Sequence, residues 1–403
     1  MRTHFVLCLS LLGFTLACRD DAPSPAAPES SSTLATTAST LVFNQMGAGD
    51  EHSCGVTSDS RLYCWGYNGS GEVGDGTTTD RLVPVAVGGS LRFRQVSVGS
   101  GATCAVTTGN KAYCWGSAPG LGDGLHRTPA PVVGGILFRT VQIGLGVACG
   151  VRASDDKAFC WGDNRFGQLG IGNNTGPESD SQTSAHSSKP VAVAGGLKFR
   201  HVSPGTDHVC GVTTDDRVYC WGYNRYGQVG DGSGGWLKLK PVRVAGTQLY
   251  REVDAGRQFT CAVTTGDRAF CWGFNSDGQL GNGTRSSSRA PKAVSGGLSF
   301  ERVSAGGFHA CAETTVNKAY CWGGVGAGAL GDGHFGDTEP YSLVPVAVVG
   351  GLSFTQVSAG SPDHTCARTP AGVGYCWGRG FDGQLGNGTD GRSAVPVAVS
   401  GPN

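Results

Sequence analysis

Methionine is nearly missing from this sequence, with 2 in 403 residues, and charged side chains make up only 15%. The 31 basic and 31 acidic residues cancel. Lys and Arg form no run or stripe, so the concentrated positive charge that a nucleic-acid surface needs is lacking. No segment of useful length carries the apolar period of an amphipathic helix. After Leu16, no apolar run is long enough for a membrane-spanning helix. There is also no G-x-S-x-G, no H-E-x-x-H and no phosphate-binding glycine loop. These absences exclude helical folds and the enzyme classes that carry those motifs. What is abundant is glycine, at 68 residues without a collagen-like period, which signals many tight turns. Cysteine is also frequent, at 16 residues.

Residues 1–17 read as a signal peptide. Arg2 and His4 precede the apolar run Phe5 to Leu16, which is too short for an ordinary transmembrane span. Leu16-Ala17-Cys18 resembles a bacterial lipobox, whose cysteine is lipidated and becomes the mature N-terminus, although Thr15 stands where leucine is usual. Ordinary cleavage near Ala17 with release is the other reading. Residues 18–40 are rich in Ser, Thr, Ala and Pro and read as a disordered tether. The chain is therefore expected to be exported, either as a cell-envelope lipoprotein held through Cys18 or as a secreted protein. Residues 41–403 are expected to fold.

Within that span the tripeptide Cys-Trp-Gly occurs seven times, starting at Cys64, Cys114, Cys160, Cys220, Cys271, Cys321 and Cys376. Each copy sits in one longer pattern. An apolar segment ends in glycine, as in Phe300 to Gly306, and a first cysteine follows five residues later. A short strand-like run and a polar turn lead to aromatic-Cys-Trp-Gly. A Gly-rich stretch such as Gly278 to Gly283 comes next, and a Pro-Val-x-Val segment such as Pro345 to Val348 closes the unit. That makes four short strands per unit. Units of about 50 residues with four strands have the size of a propeller blade. The sequence thus predicts an all-β, seven-bladed β-propeller with four antiparallel strands per blade. It leaves open whether each blade is contiguous in the chain or the last strand pairs with the first to close the ring.

The hairpin in each unit has its own chemistry. With a three-residue turn, Cys261 lies opposite Cys271, and Ala262 faces Phe270 on the other side of the sheet. The residue after the first cysteine is always Gly or Ala, and the residue before the second is always Tyr or Phe. A small residue opposite a large one lets cross-strand neighbours share a thin layer. Fourteen of the sixteen cysteines fall in these pairs: Cys54 and Cys64, Cys104 and Cys114, Cys149 and Cys160, Cys210 and Cys220, Cys261 and Cys271, Cys311 and Cys321, Cys366 and Cys376. Export favours disulfides, so seven within-hairpin bridges are predicted. Buried reduced thiols are the competing reading. No C-x-x-C and no histidine pair at ligand spacing occurs, so no metal and no cofactor is expected.

The unit Val-Ser-x-Gly, x-x-His-x-Cys, Tyr-Cys-Trp-Gly, Gly-Gln-Leu-Gly resembles the repeats of the regulator of chromosome condensation family, and the likeness covers residues 43–403. The resemblance implies a seven-bladed propeller. The family's founder is an exchange factor for a small nuclear GTPase, other members bind proteins, and one secreted bacterial member inhibits a β-lactamase. The export signal, the paired cysteines and the missing basic tail argue against nuclear and GTPase roles here. Fold alone does not give function.

Candidate sites follow from where the repeats diverge. His52, His208, His309 and His364 each precede a first cysteine by two residues, but three units have Ala102, Val147 and Phe259 there. An incomplete set reads as structural rather than as a ligand ring. Asp-Gly and Asn-Gly pairs, as at Asp75, Asp123, Asp231, Asn282, Asp332 and Asn387, read as turns because calcium loops need more oxygen ligands. The loops before Pro-Val differ most. Unit three inserts Ile171 to Lys189, unit four carries Trp236, the single Trp outside the repeat, and unit six carries Phe335 and Tyr341. Tyr67, Phe166, Tyr223, Tyr226 and Phe381 lie just after Cys-Trp-Gly. Aromatics on one rim suit a protein-binding surface, and the same rings can instead cover blade edges. The sequence is read as a non-enzymatic propeller that binds a protein partner through Trp236, Phe335, Tyr341, Tyr223, Tyr226, Phe166 and Tyr67. A carbohydrate-binding or glycan-processing propeller is the alternative. Guanine-nucleotide exchange is implied by the resemblance alone.

Overall fold

A computed structural model describes residues 41–117, 125–175, 177, 185–336 and 340–402. The predicted signal peptide, tether and Cys18 lie outside them. The described residues form seven antiparallel sheets of four strands each and one short 3-10 turn, Gly326–Gly328. In blade 1 the strands are Phe43–Ala48, His52–Thr57, Leu62–Gly66 and Arg81–Val87, and they pair in chain order. The other blades span residues 93–131, 138–192, 199–243, 250–293, 300–347 and 356–398. The architecture is a seven-bladed β-propeller.

Each blade is contiguous. The last strand, Ser393–Ala398, pairs with the third strand of its own blade, where Val397 faces Cys376. No shared sheet closes the ring; blades 7 and 1 meet through isolated backbone bonds, Phe43 N to Gly372 O and Ser361 N to Gly49 O, and through side chains. Gln356 of blade 7 accepts a hydrogen bond from Met46 N at 3.0 Å and donates one to Met46 O at 2.8 Å. Gln45 does the same to Val96 of blade 2, and Gln95 to Val141 of blade 3. A primary amide is suited to this because it donates and accepts from one planar group. A second tier uses hydroxyls. Ser97, Ser203, Ser304 and Ser358 accept from the backbone N–H groups of Ile143, Ala255, Ala359 and Ala48 in the following blades.

The glycine that ends each first strand has a steric reason. A Cβ on Gly49 would lie 2.5 Å from the carbonyl oxygen of Gly99 in the next blade. A Cβ on Gly205 would likewise overlap the carbonyl oxygen of Gly256, and one on Gly360 that of Gly49. Gly49, Gly99, Gly144, Gly205, Gly256, Gly306 and Gly360 thus form a closed collar of backbone-to-backbone contact.

The predicted hairpin register holds in every blade. Cys54 faces Cys64 and Gly55 faces Tyr63, and in blade 3 Cys149 faces Cys160 and Gly150 faces Phe159. All seven cysteine pairs are joined, with Cα atoms 4.0 to 4.1 Å apart. Cysteine and tryptophan are adjacent in sequence, so they point to opposite faces of the sheet. The cysteine face meets the next blade's aromatic face: Cys54 and Cys64 pack with Phe93 and Trp115 of blade 2. The same contact closes the ring, where Cys366 and Cys376 meet Phe43 and Trp65. Gly or Ala is needed after the first cysteine because the inner-strand ring lies over it. A Cβ on Gly55 would strike the Phe43 ring. Every outermost strand carries proline, as at Pro84, Pro129, Pro190, Pro241, Pro291, Pro345 and Pro396. Proline withholds a donor from the open edge and so blunts edge-to-edge association.

Candidate functional site

The loops between first and second strands emerge on the same side as those between third and fourth strands. Backbone bonds tie them together: Tyr67 N to Glu51 O, Tyr223 N to Asp207 O and Phe274 N to Gln258 O. We call this side the loop face. Four of the long loops are braced from within. Asn68, Asn164, Asn224 and Asn275 are buried, and their side-chain oxygens accept from Val73 N, Leu169 N, Val229 N and Leu280 N at 2.8 to 3.0 Å. The sequence reading passed over these residues, although Trp-Gly-x-Asn recurs in the four units concerned.

The histidine network lies beneath these loops. His208 Nε2 pairs with Thr260 Oγ1 of the next blade at 2.8 Å. Thr260 donates to Gln228 O, which also accepts from Trp272 Nε1. His52 with Thr103, His309 with Thr365 and His364 with Ser53 repeat the motif. The four histidines are buried, and burial holds His208 neutral by pushing its pKa down to about 3. They act as inter-blade struts, the structural role expected of them.

The braced loops bring four of the seven candidate rings together. Phe166 of blade 3 packs on Tyr223 of blade 4 with centroids 5.0 Å apart, and Tyr226 packs on Phe274 of blade 5 at 4.9 Å. Arg225 lies over both Tyr226, at 5.9 Å, and Trp236, at 5.5 Å. Trp236 is 67% exposed, and its carbonyl accepts from Asn224 N at 2.7 Å. The result is an aromatic ridge across blades 3 to 5. Phe274 was not among the residues singled out from sequence. Its role depends on the contact with the preceding blade, where the fifth residue after one tryptophan meets the second residue after the next.

The other three rings stand apart from this ridge. Phe335 and Tyr341 are clasped by arginines of the flanking blades, Arg392 at 4.3 Å and Arg285 at 4.6 Å. Tyr67, half-buried, faces a carboxylate-rich sector. Burial raises its phenol pKa, and Glu72, Glu51, Asp80 and Asp382 raise it further. The blade 3 insertion is described only in part, at 171–175, 177 and 185–189.

The central channel holds a polar chamber of about 350 Å³, lined in part by Gln45, His201, Glu252, Asp254, Arg302 and Gln356. Its charged wall lies on blades 4 to 6. Burial pushes the Glu252 carboxyl up to about 8, opposed in part by Arg302. Glu313 replaces the valine found at this strand position in blades 1 to 5 and is 1% exposed. Its Oε2 accepts from Val357 N of blade 7 at 3.3 Å, and its Oε1, 3.9 Å from Arg302 Nε, has no hydrogen-bond partner among the described residues. Burial pushes it up to about 7.

The family described as "RCC1-like domain" matches residues 14–299, and the "Regulator of chromosome condensation (RCC1) repeat" matches residues 372–403. The chain is 31% identical over 258 residues, 62% of its length, to the ultraviolet-B receptor UVR8 of Arabidopsis thaliana, of which it covers 46%. It is 30% identical over 250 residues, 61% of its length, to the probable E3 ubiquitin-protein ligase HERC4 of Rattus norvegicus, of which it covers 18%. The chain thus spans half or less of the length of these curated relatives. Among solved structures it resembles human WBSCR16 with a TM-score of 0.73 at 20% identity, over 84% of this chain and 94% of that one. It resembles Prp20p of Saccharomyces cerevisiae, described with its binding to Gsp1p and histones, with a TM-score of 0.71 at 17% identity, over 90% and 87%.

Proposed function

The chain belongs to the RCC1-like domain family, and we propose that it is an exported, non-enzymatic propeller that binds a protein partner through blades 3 to 5 of its loop face. The observation that carries this reading is the ridge Phe166–Tyr223, Tyr226–Phe274 and Trp236. Its rings sit on loops held by buried asparagines, and its largest ring is mostly in solvent. Rigid, partly exposed aromatics next to arginine are the residue types that dominate binding energy at protein interfaces. Prp20p, described with its binding to Gsp1p and histones, is an example of this fold carrying a binding role. At 17% identity, the likeness to Prp20p extends to the fold and not to its partners.

Export, and lipidation at Cys18, belong to the same proposal. They rest on the apolar run Phe5 to Leu16 and on Leu16-Ala17-Cys18. Metabolic labelling with a fatty acid tests the anchor. Label on the wild-type chain that disappears in Cys18→Ala is expected, and label retained in Cys18→Ala overturns it.

The binding role is tested by affinity capture from envelope extracts with wild type and Trp236→Ala side by side, alongside a glycan array. Loss of capture by Trp236→Ala is expected. Capture untouched by Trp236→Ala overturns the site, and glycan binding that depends on Trp236 moves the reading to carbohydrate.

A further inference from the structure

The loop face is electrically divided. In blades 3 to 5, Arg165 is paired with Asp163 and Lys238 with Asp231. Arg225 is different. Among the described residues it makes no ion pair, and its guanidinium is held by the faces of Tyr226 and Trp236. In blade 5, Arg257 lies over Phe308 at 5.1 Å and also makes no ion pair among the described residues, although Asp50 and Asp207 act on it from farther away. Asp207 and Asp277 lie on the same face in blades 4 and 5, but carboxylates concentrate across the channel, in blades 7 and 1. Glu51, Glu72, Asp80, Asp363 and Asp382 gather there, and Arg379 bonds to Glu51 and Asp382.

An arginine stacked on rings keeps its planar N–H edge free, and that edge matches a carboxylate with two parallel hydrogen bonds. Stacking also fixes the side chain in advance, so less freedom is lost when the carboxylate arrives. The adjacent ring pairs sit at consecutive blade junctions, 3 to 4 and 4 to 5, so apolar anchors recur along the rim on both sides of Arg225. The acidic sector opposite repels the same ligand and so fixes where on the face it lands.

We propose that the ridge takes an extended acidic–apolar segment of its protein partner: aromatic or aliphatic side chains on the ring pairs, and an Asp or Glu carboxylate on the Arg225 guanidinium. This rests on the rim reading given above and adds the chemistry of the partner.

The test is selection of random peptides of about 12 residues displayed on phage against the intact protein, with binding of the enriched peptides then measured in solution. Enriched sequences are expected to place Asp or Glu beside Leu, Phe, Tyr or Trp. Arg225→Glu should weaken them by about tenfold or more, Arg225→Ala by less, and added salt should weaken wild type more than Arg225→Ala. Enrichment of neutral or basic peptides, or no enrichment, overturns the proposal. Peptides lost in Trp236→Ala but indifferent to Arg225→Glu overturn the carboxylate contact while leaving the rim in place. Peptides indifferent to both substitutions overturn the rim as well.

Discussion

Glu313→Gln should make this protein more stable, and only above mildly acidic pH. Three blade junctions are bridged by a glutamine that both accepts from and donates to one backbone residue of the next blade. At the junction of blades 6 and 7 the bridge is Glu313, which accepts from Val357 N and leaves its second oxygen without a hydrogen bond among the described residues. Arg302, with its Nε 3.9 Å away, helps the charged form, and Glu301 opposes it, but burial dominates and sets the carboxyl near 7 against an ordinary 4.5. The folded state therefore holds a proton that the unfolded chain releases. Below about pH 4.5 both states are protonated and the group costs nothing. As pH rises from there through 7 the unfolded state is favoured, and the cost levels off at about 3 kcal/mol. Glutamine is the uncharged shape of the protonated acid and removes that cost. The assay is urea unfolding of wild type and Glu313→Gln at pH 4.5 and 8.5. The gap between them should be small in acid and open to about 2–3 kcal/mol in base. A gap that does not change with pH, or that favours wild type at pH 8.5, refutes the reasoning.

The histidine struts act in the opposite sense. His208 is neutral with a folded pKa of about 3, so its share of stability is present above about 6.5 and is lost as pH falls toward 3. Acid unfolding followed by circular dichroism should be shallower in His208→Gln than in wild type. Thr260→Val keeps the shape and removes the hydroxyl that links His208 to Gln228 O, and should cost about 1–3 kcal/mol in denaturant unfolding. Gly205→Ala places a methyl group on the Gly256 carbonyl and should lower thermal stability by about 1–3 kcal/mol, whereas Gly135→Ala, with no atom of the described residues within 4 Å, is limited to backbone strain at φ +68°. Replacing Cys210 and Cys220 together by alanine should cost about 2–3 kcal/mol and leave the blade count intact, measured by chemical unfolding without reductant.

Much of this was legible because the repeats are local devices. The pairing of Cys261 with Cys271 and of Ala262 with Phe270 depends on one hairpin, and counting residues across its turn gives both. Seven copies of that hairpin give the number of blades. The glycine collar was visible as a recurring glycine, but its cause was not. Gly205 is required by the carbonyl of Gly256, about fifty residues away in the next blade. The candidate rim divides in the same way. Trp236 stood out as the one tryptophan outside the repeat. Its grouping with Phe166, Tyr223 and Tyr226, the addition of Phe274, and the separate positions of Tyr67, Phe335 and Tyr341 depend on how neighbouring blades are rotated against each other.

The sequence by itself determined what one blade can resolve: strand alternation, hairpin register, cysteine pairing, and the small residue opposite the aromatic across the hairpin. These interactions close within a single unit of about 50 residues, so spacing along the chain is enough to read them. Tertiary structure alone decided how the ring closes, which side chains bridge the blades, that Glu313 is a buried acid doing an amide's work, and which aromatics share a surface. Those contacts join residues that are neighbours only after one blade is laid on the next, and no period in the chain records that angle.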